Sequence, residues 1–516
     1  MQPAFLLPAI LVSFIVYRWF KRGTSQSLPL PPGPKGYPII GNSLDAPLHE
    51  PWKTFRDWSK IYGDVIYMKI PKQEFVILGS AQAALDLLEK RSDVYSDRPY
   101  NVMNELMLTA SWDFAFMRYS SQWRTHRREF HQFFHQHAVP NYRPIQLREC
   151  RAFLKRTLED PTNLGDHIRL IYSAIILKVI YDMDVTNMKH GYIQLAETVV
   201  EGVSDAQLPG KFWVHFLPIF KYIPSWVPGA YFKKFVERHN PVVQKMLGQP
   251  FEAVKKDIAE GRAGNSVAAA LIERLQVSGD SKEVQAEKEE LARDITGLAY
   301  AAAADTTTIA AQSFFIAMSL HPEVQKKAQE ELDRVVGPNR LPEFEDYENL
   351  VYIQAILLES MRWMPVTPIG VPHSSTRDDQ YRGYHIPKGA TILVNAWAIL
   401  HDPEMYPDPA RFNPDRYIKN GRLDPDILSP TNIAFGFGRR ICPGRWLSSA
   451  SLFMTVASVL HTLDIRPITG TGGKKFHPYD HEIEGIKLSI NEVPCTVTPR
   501  SHAAETLIRE WAIQDN

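Results

Sequence analysis

Cysteine is scarce in this chain. Its 516 residues include three, Cys150, Cys442 and Cys495, far apart and with no C-x-x-C pair. Neither a zinc site nor a disulfide framework is therefore suggested. Net charge is missing too: lysine plus arginine and aspartate plus glutamate both total 58. That balance argues against a dedicated nucleic-acid binder. No Asn-x-Ser/Thr sequon occurs, in keeping with a body that stays out of the secretory lumen. Hydrophobic residues make up an ordinary 44%, enough for a large core.

What is present begins at the N-terminus. Ala4–Phe20 is apolar apart from Ser13 and Arg18, at the short end for a membrane-spanning helix. Arg18, Lys21 and Arg22 close it, and no basic residue precedes it. The positive-inside rule then places the N-terminus in the lumen and the body in the cytosol. A cleaved signal peptide is the rival reading, but its basic start and small-residue cleavage site are missing. Leu28–Pro38, Leu-Pro-Leu-Pro-Pro-Gly-Pro-Lys-Gly-Tyr-Pro, is stiff and extended, because proline fixes φ and removes donors. The chain thus divides into an anchor (1–22), a proline-rich hinge (23–38), a body (39–500) and a polar tail (501–516).

In the body, Pro51–Tyr62 and Ala81–Lys90 read as helices, and Val65–Ile70 and Phe75–Leu78 as strands. Asn101–Phe116 is mixed and carries Met103, Met107, Phe114 and Phe116; flexible methionine and flat aromatics suit an adaptable pocket wall, or equally a core. Gln122–Phe134 is a basic helix on which Trp123 and Arg127, four apart, share a face. Arg124 and Arg128 point elsewhere, as a solvated face or a basic docking surface. Lys211–Pro228 interleaves aromatics with lysine, as membrane interfaces do; a core segment broken by prolines is the plain alternative.

Glu283–Leu320 is the longest proline-free helical stretch, about 50 Å at the helical rise. Its middle reads Ala301-Ala-Ala-Ala-Asp305-Thr306-Thr307-Thr308. An acid and three threonines inside strong helix formers break a local rule, which often marks function. The plainer reading has each hydroxyl bonding a carbonyl one turn back. Leu350–Met364 is a helix with Glu359 and Arg362 three apart, and Val366–His373 is kept extended by Pro365, Pro368 and Pro372. Tyr384–Val394 reads as a hairpin around Pro387-Lys-Gly389, and Ile483–Leu488 and Cys495–Val497 as closing strands.

The stretch with the most chemistry is Phe435–Gly444, Phe-Gly-Phe-Gly-Arg-Arg-Ile-Cys-Pro-Gly. Gly436, Gly438 and Gly444 let the backbone turn tightly and bring N–H groups toward the Cys442 sulfur. The apolar run Trp446–Leu460 follows as a helix. Its N-terminal partial charge, with Arg439 and Arg440, is expected to lower the thiol pKa. A thiolate so held is a soft metal ligand. A lone cysteine is otherwise a small buried hydrophobe. Here, however, five positions fit F-x-x-G-x-R-x-C-x-G, a match expected by chance roughly once in several thousand sequences. This is the ligand loop of the cytochrome P450 family, the haem-thiolate monooxygenases, and the sequence resembles a member from about Pro29 to Pro499.

The resemblance implies a mainly α fold with a smaller β-rich lobe, the cytochrome P450 fold. It also implies a single-pass N-terminal anchor in the endoplasmic reticulum membrane, with the catalytic domain cytosolic. The implied cofactor is haem b, iron protoporphyrin IX, with Cys442 as the metal ligand that pushes electron density toward O–O cleavage. Phe435 would shield the sulfur side of the ring, and Trp123, Arg127, His373 and Arg440 would meet the propionates. Asp305 and Thr306 would be the acid–alcohol pair that delivers protons to the reacting dioxygen, with Ala302 leaving room above the iron. Ala303 stands where the family usually has glycine, a departure that bears on pocket shape. Glu359, Arg362 and Arg411 would form a buried structural charge triad bracing the Cys loop, with Ala410 where that motif usually has glutamate. Met103, Phe114, Ala302, Val366 and Ile369 would line the substrate pocket.

The implied reaction inserts one oxygen atom of O2 into a lipophilic small molecule and releases the other as water. No dinucleotide fingerprint stands beside a strand, so NADPH electrons would arrive through a separate NADPH–cytochrome P450 reductase, with cytochrome b5 as a further donor. In overall style the chain resembles fungal microsomal members such as the O-methylsterigmatocystin oxidoreductase-like group. That implies terpenoid or polyketide secondary metabolism, with xenobiotic detoxification as the alternative. Two rivals stand beside this reading. One is a haem-thiolate isomerase or dehydratase that needs no O2, against which the intact Asp305-Thr306 pair argues. The other is a membrane-anchored haem- or lipid-binding protein without turnover.

Overall fold

A computed structural model describes residues 28–47, 49–208, 211–277, 279–468, 483–484, 487–490 and 492–514. The proline-rich stretch from Leu28 is docked rather than free. The Pro32 carbonyl accepts from the Tyr67 N–H at 2.9 Å, and the Pro29 carbonyl from the His385 N–H at 2.8 Å. Gly33 is required there, because a Cβ would lie 1.9 Å from the Tyr67 carbonyl oxygen.

Helix α1 (Pro51–Tyr62) starts on a proline and buries Trp52 and Phe55 against the small lobe. Strands β1 (Val65–Ile70) and β2 (Gln73–Leu78) follow as an antiparallel pair, Val65 opposite Leu78. The helical body is built from α2 (Ser121–Phe134), α3 (Arg143–Glu159), α4 (Leu164–Tyr181), α5 (Gly191–Gln207), α6 (Tyr231–Ala259), α7 (Lys282–Leu320) and α8 (Val351–Trp363). Ser120 caps α2 through its side chain, accepting from the Trp123 N–H, and so fixes where the Trp123–Arg127 face begins. Helix α4 is apolar almost all round and is buried accordingly. Helix α7 runs through the centre and packs on α4, α5, α6 and α8.

The small lobe is completed by β3 (His373–Ser374) and β4 (Thr391–Val394), giving the sheet order β1-β2-β4-β3. Here the expected Tyr384–Val394 hairpin is corrected. Tyr384–Ile386 pairs with Asp379–Tyr381, whereas β4 leaves to lie parallel to β2 and antiparallel to β3. All four residues of β4 are buried, and an apolar strand with two faces to cover belongs in the middle of a sheet. After the Cys442 loop come α9 (Arg445–Thr462), β5 (Leu463–Pro467), β6 (Lys487–Leu488), β7 (Cys495–Pro499) and α10 (His502–Gln514). Strands β5 and β7 pair antiparallel. The expected polar tail is thus largely a helix, since Ala504 and Ile508, four apart, form a buried stripe.

The result is mainly α with a smaller β lobe. One expectation about it is corrected: among the described residues no helix is long and apolar enough to cross a membrane. The single-pass endoplasmic reticulum topology is therefore set aside. The stretch Ala4–Phe20 that prompted it lies outside the described residues.

The charge triad is corrected as well. Glu359 and Arg362 on α8 form a fully buried pair at 2.7 Å. The third side chain is Arg416, whose Nε lies 3.2 Å from Glu359, and not Arg411. Arg411 is exposed and lends only its backbone carbonyl, which accepts from Arg362 at 3.2 Å. The chain turns here because the Asn413 N–H donates to Glu359 Oε1 at 2.7 Å, which swings residue 416 inward. Removing one member of a buried ion pair strands the other charge. Arg416→Met is therefore expected to lower unfolding stability by about 3–5 kcal/mol, and Arg411→Ala by less than about 0.5 kcal/mol. Urea unfolding of both variants checks this; equal losses would return the role to Arg411.

Candidate functional site

The Cys442 loop closes on itself: the Cys442 N–H donates to the Phe435 carbonyl at 2.7 Å. Gly438 has φ +54°, and a Cβ there would sit 2.2 Å from the Leu88 carbonyl oxygen, so glycine is demanded twice over. Its N–H donates to Glu89 at 2.6 Å, and that of Gly436 to the Ile433 carbonyl at 3.1 Å. Neither reaches the sulfur, contrary to expectation. The N–H groups that favour the thiolate are those of Gly444 and Arg445, at the start of α9, and the charges that do so are Arg127 and Arg445. Arg439 instead donates to the Tyr119 hydroxyl at 2.6 Å. Burial outweighs all of these and pushes the Cys442 thiol pKa up rather than down. The thiolate would then form by exchange of its proton for a metal.

Positive charge gathers beside this loop. Arg440 is buried and donates to the carbonyls of Ser96 (2.7 Å), Phe114 (3.0 Å) and Met117 (2.8 Å). Its guanidinium lies 4.3 Å from the Trp123 ring centre. The Trp123 indole N–H donates to the same Phe114 carbonyl at 3.0 Å, and Arg127 donates to the Ile441 carbonyl. Arg98, which no sequence motif singles out, is buried too. It donates to the carbonyls of Ala115 (2.7 Å), Val371 (3.0 Å) and Pro372 (2.6 Å). Burial pushes all three guanidinium pKa values down, and Arg440 is lowered further by Arg98. His373 is buried with Nδ1 2.8 Å from the Tyr95 carbonyl; burial, then Arg98, holds it well below the usual histidine range. Nearby carboxylates do not balance this charge. Asp97 pairs with Arg118, and burial raises the Asp113 carboxyl to about 7. A flat ligand with two carboxylates and a metal for Cys442 fits this donor set, as haem does.

Helix α7 carries the remaining catalytic candidates. Residues 294–301 and 307–319 are nearly all buried, yet Ala302 and Thr306, one turn apart, are exposed. Their face of the helix is thus accessible. Thr306 Oγ1 donates to the Ala302 carbonyl at 2.8 Å and Thr308 Oγ1 to the Ala304 carbonyl at 2.7 Å. Thr307 instead meets Ser448 on α9 at 3.2 Å. Asp305 faces away from Thr306 and holds Lys487 of β6 at 2.6 Å.

The remaining pocket candidates divide. Val366 is partly buried, and its carbonyl accepts from the Leu488 N–H at 2.8 Å. Met103 is buried among Met107, Phe212 and Phe232. Phe114 packs edge-on to Phe130 at 5.4 Å. Ile369 packs on Trp52 and Trp397 of the small lobe. Phe435 is half-buried.

Residues 31–483 match the family model described as Cytochrome P450. The chain is 43% identical over 495 residues to cytochrome P450 monooxygenase COX2 of Coprinopsis cinerea, covering 95% of this chain and 93% of that protein. It is 41% identical over 479 residues to cytochrome P450 monooxygenase COX1 of the same fungus, covering 92% of each. Cytochrome P450 monooxygenase ple1 of Rhodocybe pseudopiperita is 38% identical over 493 residues, covering 95% of this chain and 93% of that protein. A match over most of the chain, together with a cysteine loop and a charge cluster that suit haem, shows that the chain belongs to the cytochrome P450 family of monooxygenases, an oxidoreductase with fungal relatives.

Proposed function

We propose that this monooxygenase oxidises a lipophilic small molecule in fungal terpenoid or polyketide secondary metabolism, fed with NADPH electrons by a separate reductase. The observation that carries the haem-thiolate reading is the placement of Cys442 ahead of α9 beside guanidiniums whose own bonds go to neutral carbonyls. Haem b bound there would supply the oxygen activation, and Cys442 would hold its iron through the thiolate. Arg98, Arg127 and Arg440 would hold the propionates by charge-assisted bonds, with the Trp123 indole N–H as a neutral donor. His373 meets them only by taking up a proton, since its Nδ1 is engaged with Tyr95. Thr306, exposed on the open face of α7, is placed to turn its hydroxyl outward and hold a proton or a water there. Asp305, its neighbour in the chain, would be the acid of the acid–alcohol pair. The small Ala302 and the apolar Val366 support an apolar substrate.

The reduced, CO-bound wild type is expected to show a strongly red-shifted Soret band that Cys442→Ser loses. Haem binding without that band would end the haem-thiolate reading. Arg98→Ala or Arg440→Ala removes charge-assisted bonds worth about 1.5–3 kcal/mol. Each is expected to weaken haem retention about 10–100-fold after gel filtration, whereas the exposed Arg124→Ala leaves it unchanged; retention equal to wild type in both would refute the propionate roles. Thr306→Ala should keep NADPH consumption while reducing product per NADPH, and unaltered coupling would remove Thr306 from the relay.

A further inference from the structure

His126 lies on α2 between Trp123 and Arg127. It is buried, as is Asp294 of α7, whose Oδ2 stands 3.2 Å from its Nε2. The other ring nitrogen, Nδ1, lies 3.0 Å from the Gln122 carbonyl one turn back. A carbonyl accepts and never donates, so Nδ1 carries a hydrogen. Nε2 then faces a carboxyl oxygen. Two lone pairs facing each other away from water would be costly, so a proton lies between Nε2 and Oδ2. The pair thus holds one buried proton, as imidazolium and carboxylate or as imidazole and carboxylic acid. Burial, against the opposing pull of His126, pushes the Asp294 carboxyl pKa up, which favours keeping that proton. Of the other charged groups, Glu290 on α7 raises it further and Arg293 lowers it. The imidazole also meets the Phe114 ring at 6.3 Å, and the Phe114 carbonyl takes the bonds of Trp123 and Arg440.

Asp294 is 12 residues before Thr306, about 18 Å along the helix, and so stands apart from the acid–alcohol pair. What it joins is α2 to α7. A bond at His126 fixes the rotation of α2, because Trp123, three residues earlier, shares its face and Arg127 lies about 100° round. Arg127 in turn donates to the Ile441 carbonyl, next to Cys442. We propose that the His126–Asp294 pair is a proton-held latch for haem binding, in which His126 is the positioning residue that keeps Trp123 and Arg127 turned to the Cys442 loop. This rests on the haem-thiolate reading above. With its proton the latch holds α2 against α7. When the proton leaves to solvent, a lone pair on Nε2 faces a carboxylate and the contact turns repulsive. Helix α2 can then turn, and Trp123 and Arg127 lose their aim. Haem retention gained from the latch is thus present at low pH and lost as pH rises.

The test follows transfer of haem from the full haem-loaded chain to a scavenging apo-globin between about pH 6 and about pH 9, a range that starts near the ordinary histidine value. Wild-type haem loss is expected to quicken as pH rises. His126→Phe breaks the latch and should lose haem about tenfold faster than wild type at the low end. Asp294→Asn is the rescuing variant: its amide N–H donates to Nε2 while Nδ1–H keeps Gln122, so the contact persists without a proton to lose. It should match wild type at low pH and stay slow at high pH. The Asp113 carboxyl, raised to about 7, titrates in all three proteins, so the difference between profiles reports the pair. The reduced-CO band of wild type reports the haem-thiolate centre separately. Its absence overturns that reading and the latch with it. With the band present, wild-type and Asp294→Asn profiles that coincide at every pH overturn the latch alone. If His126→Phe fails to fold, that comparison decides by itself.

Discussion

Arg98 and Arg440 are buried positive charges, with Arg127 close by, and much of the architecture exists to place them. Each needs several acceptors at fixed angles, because a guanidinium presents its donors in a rigid fork. The carbonyls that serve come from Ser96, Phe114, Ala115, Met117, Val371 and Pro372. The small sheet, the Asn101–Phe116 segment and the stretch leading into β3 must therefore all be in place around the Cys442 loop. Carbonyl dipoles solvate these charges without neutralising them. Buried charge of one sign is costly until an anion joins it, a cost that a ligand with two carboxylates would offset.

The same reasoning explains what was legible in the sequence. Cys442, Arg440 and the glycines between them are close in the chain, and their chemistry demands that spacing. Pro51–Tyr62 and Val65–Ile70 match the structure residue for residue, since a starting proline and a turn between two apolar runs are local facts. Arg98 had no such signature. Its partners at Val371 and Pro372 are more than 270 positions away, and only the folded backbone brings them together. Arg416 has no local signature either: five residues from Arg411, it reaches Glu359 because of a turn pinned by a single backbone bond. Gly389 signals a turn and so points to a hairpin that includes β4, but burial of both faces of β4 decides its place.

The thiol gives a second lesson about magnitude. A helix N-terminus and two arginines all favour S⁻, which led to the expectation of a depressed pKa. Desolvation is larger and raises it. A thiol kept protonated by its surroundings is a weaker nucleophile and a poorer target for oxidants than a stable thiolate.

Three consecutive residues of α7 join these features. Successive side chains on a helix point about 100° apart. Asp305 faces Lys487, Thr306 lies on the exposed side with Ala302, and Thr307 faces α9, where it meets Ser448. Ser448 lies six residues past Cys442, on the helix that the Cys loop feeds. The run of threonines, awkward for helix propensity, thus has a positional reason that periodicity alone could not supply. Thr307 locks the rotation of α7 against the helix that carries the thiolate loop. A turn of α7 by one residue would point the alcohol at α9 and move the acid into its place, so this hydrogen bond helps keep the two on their separate sides of the helix.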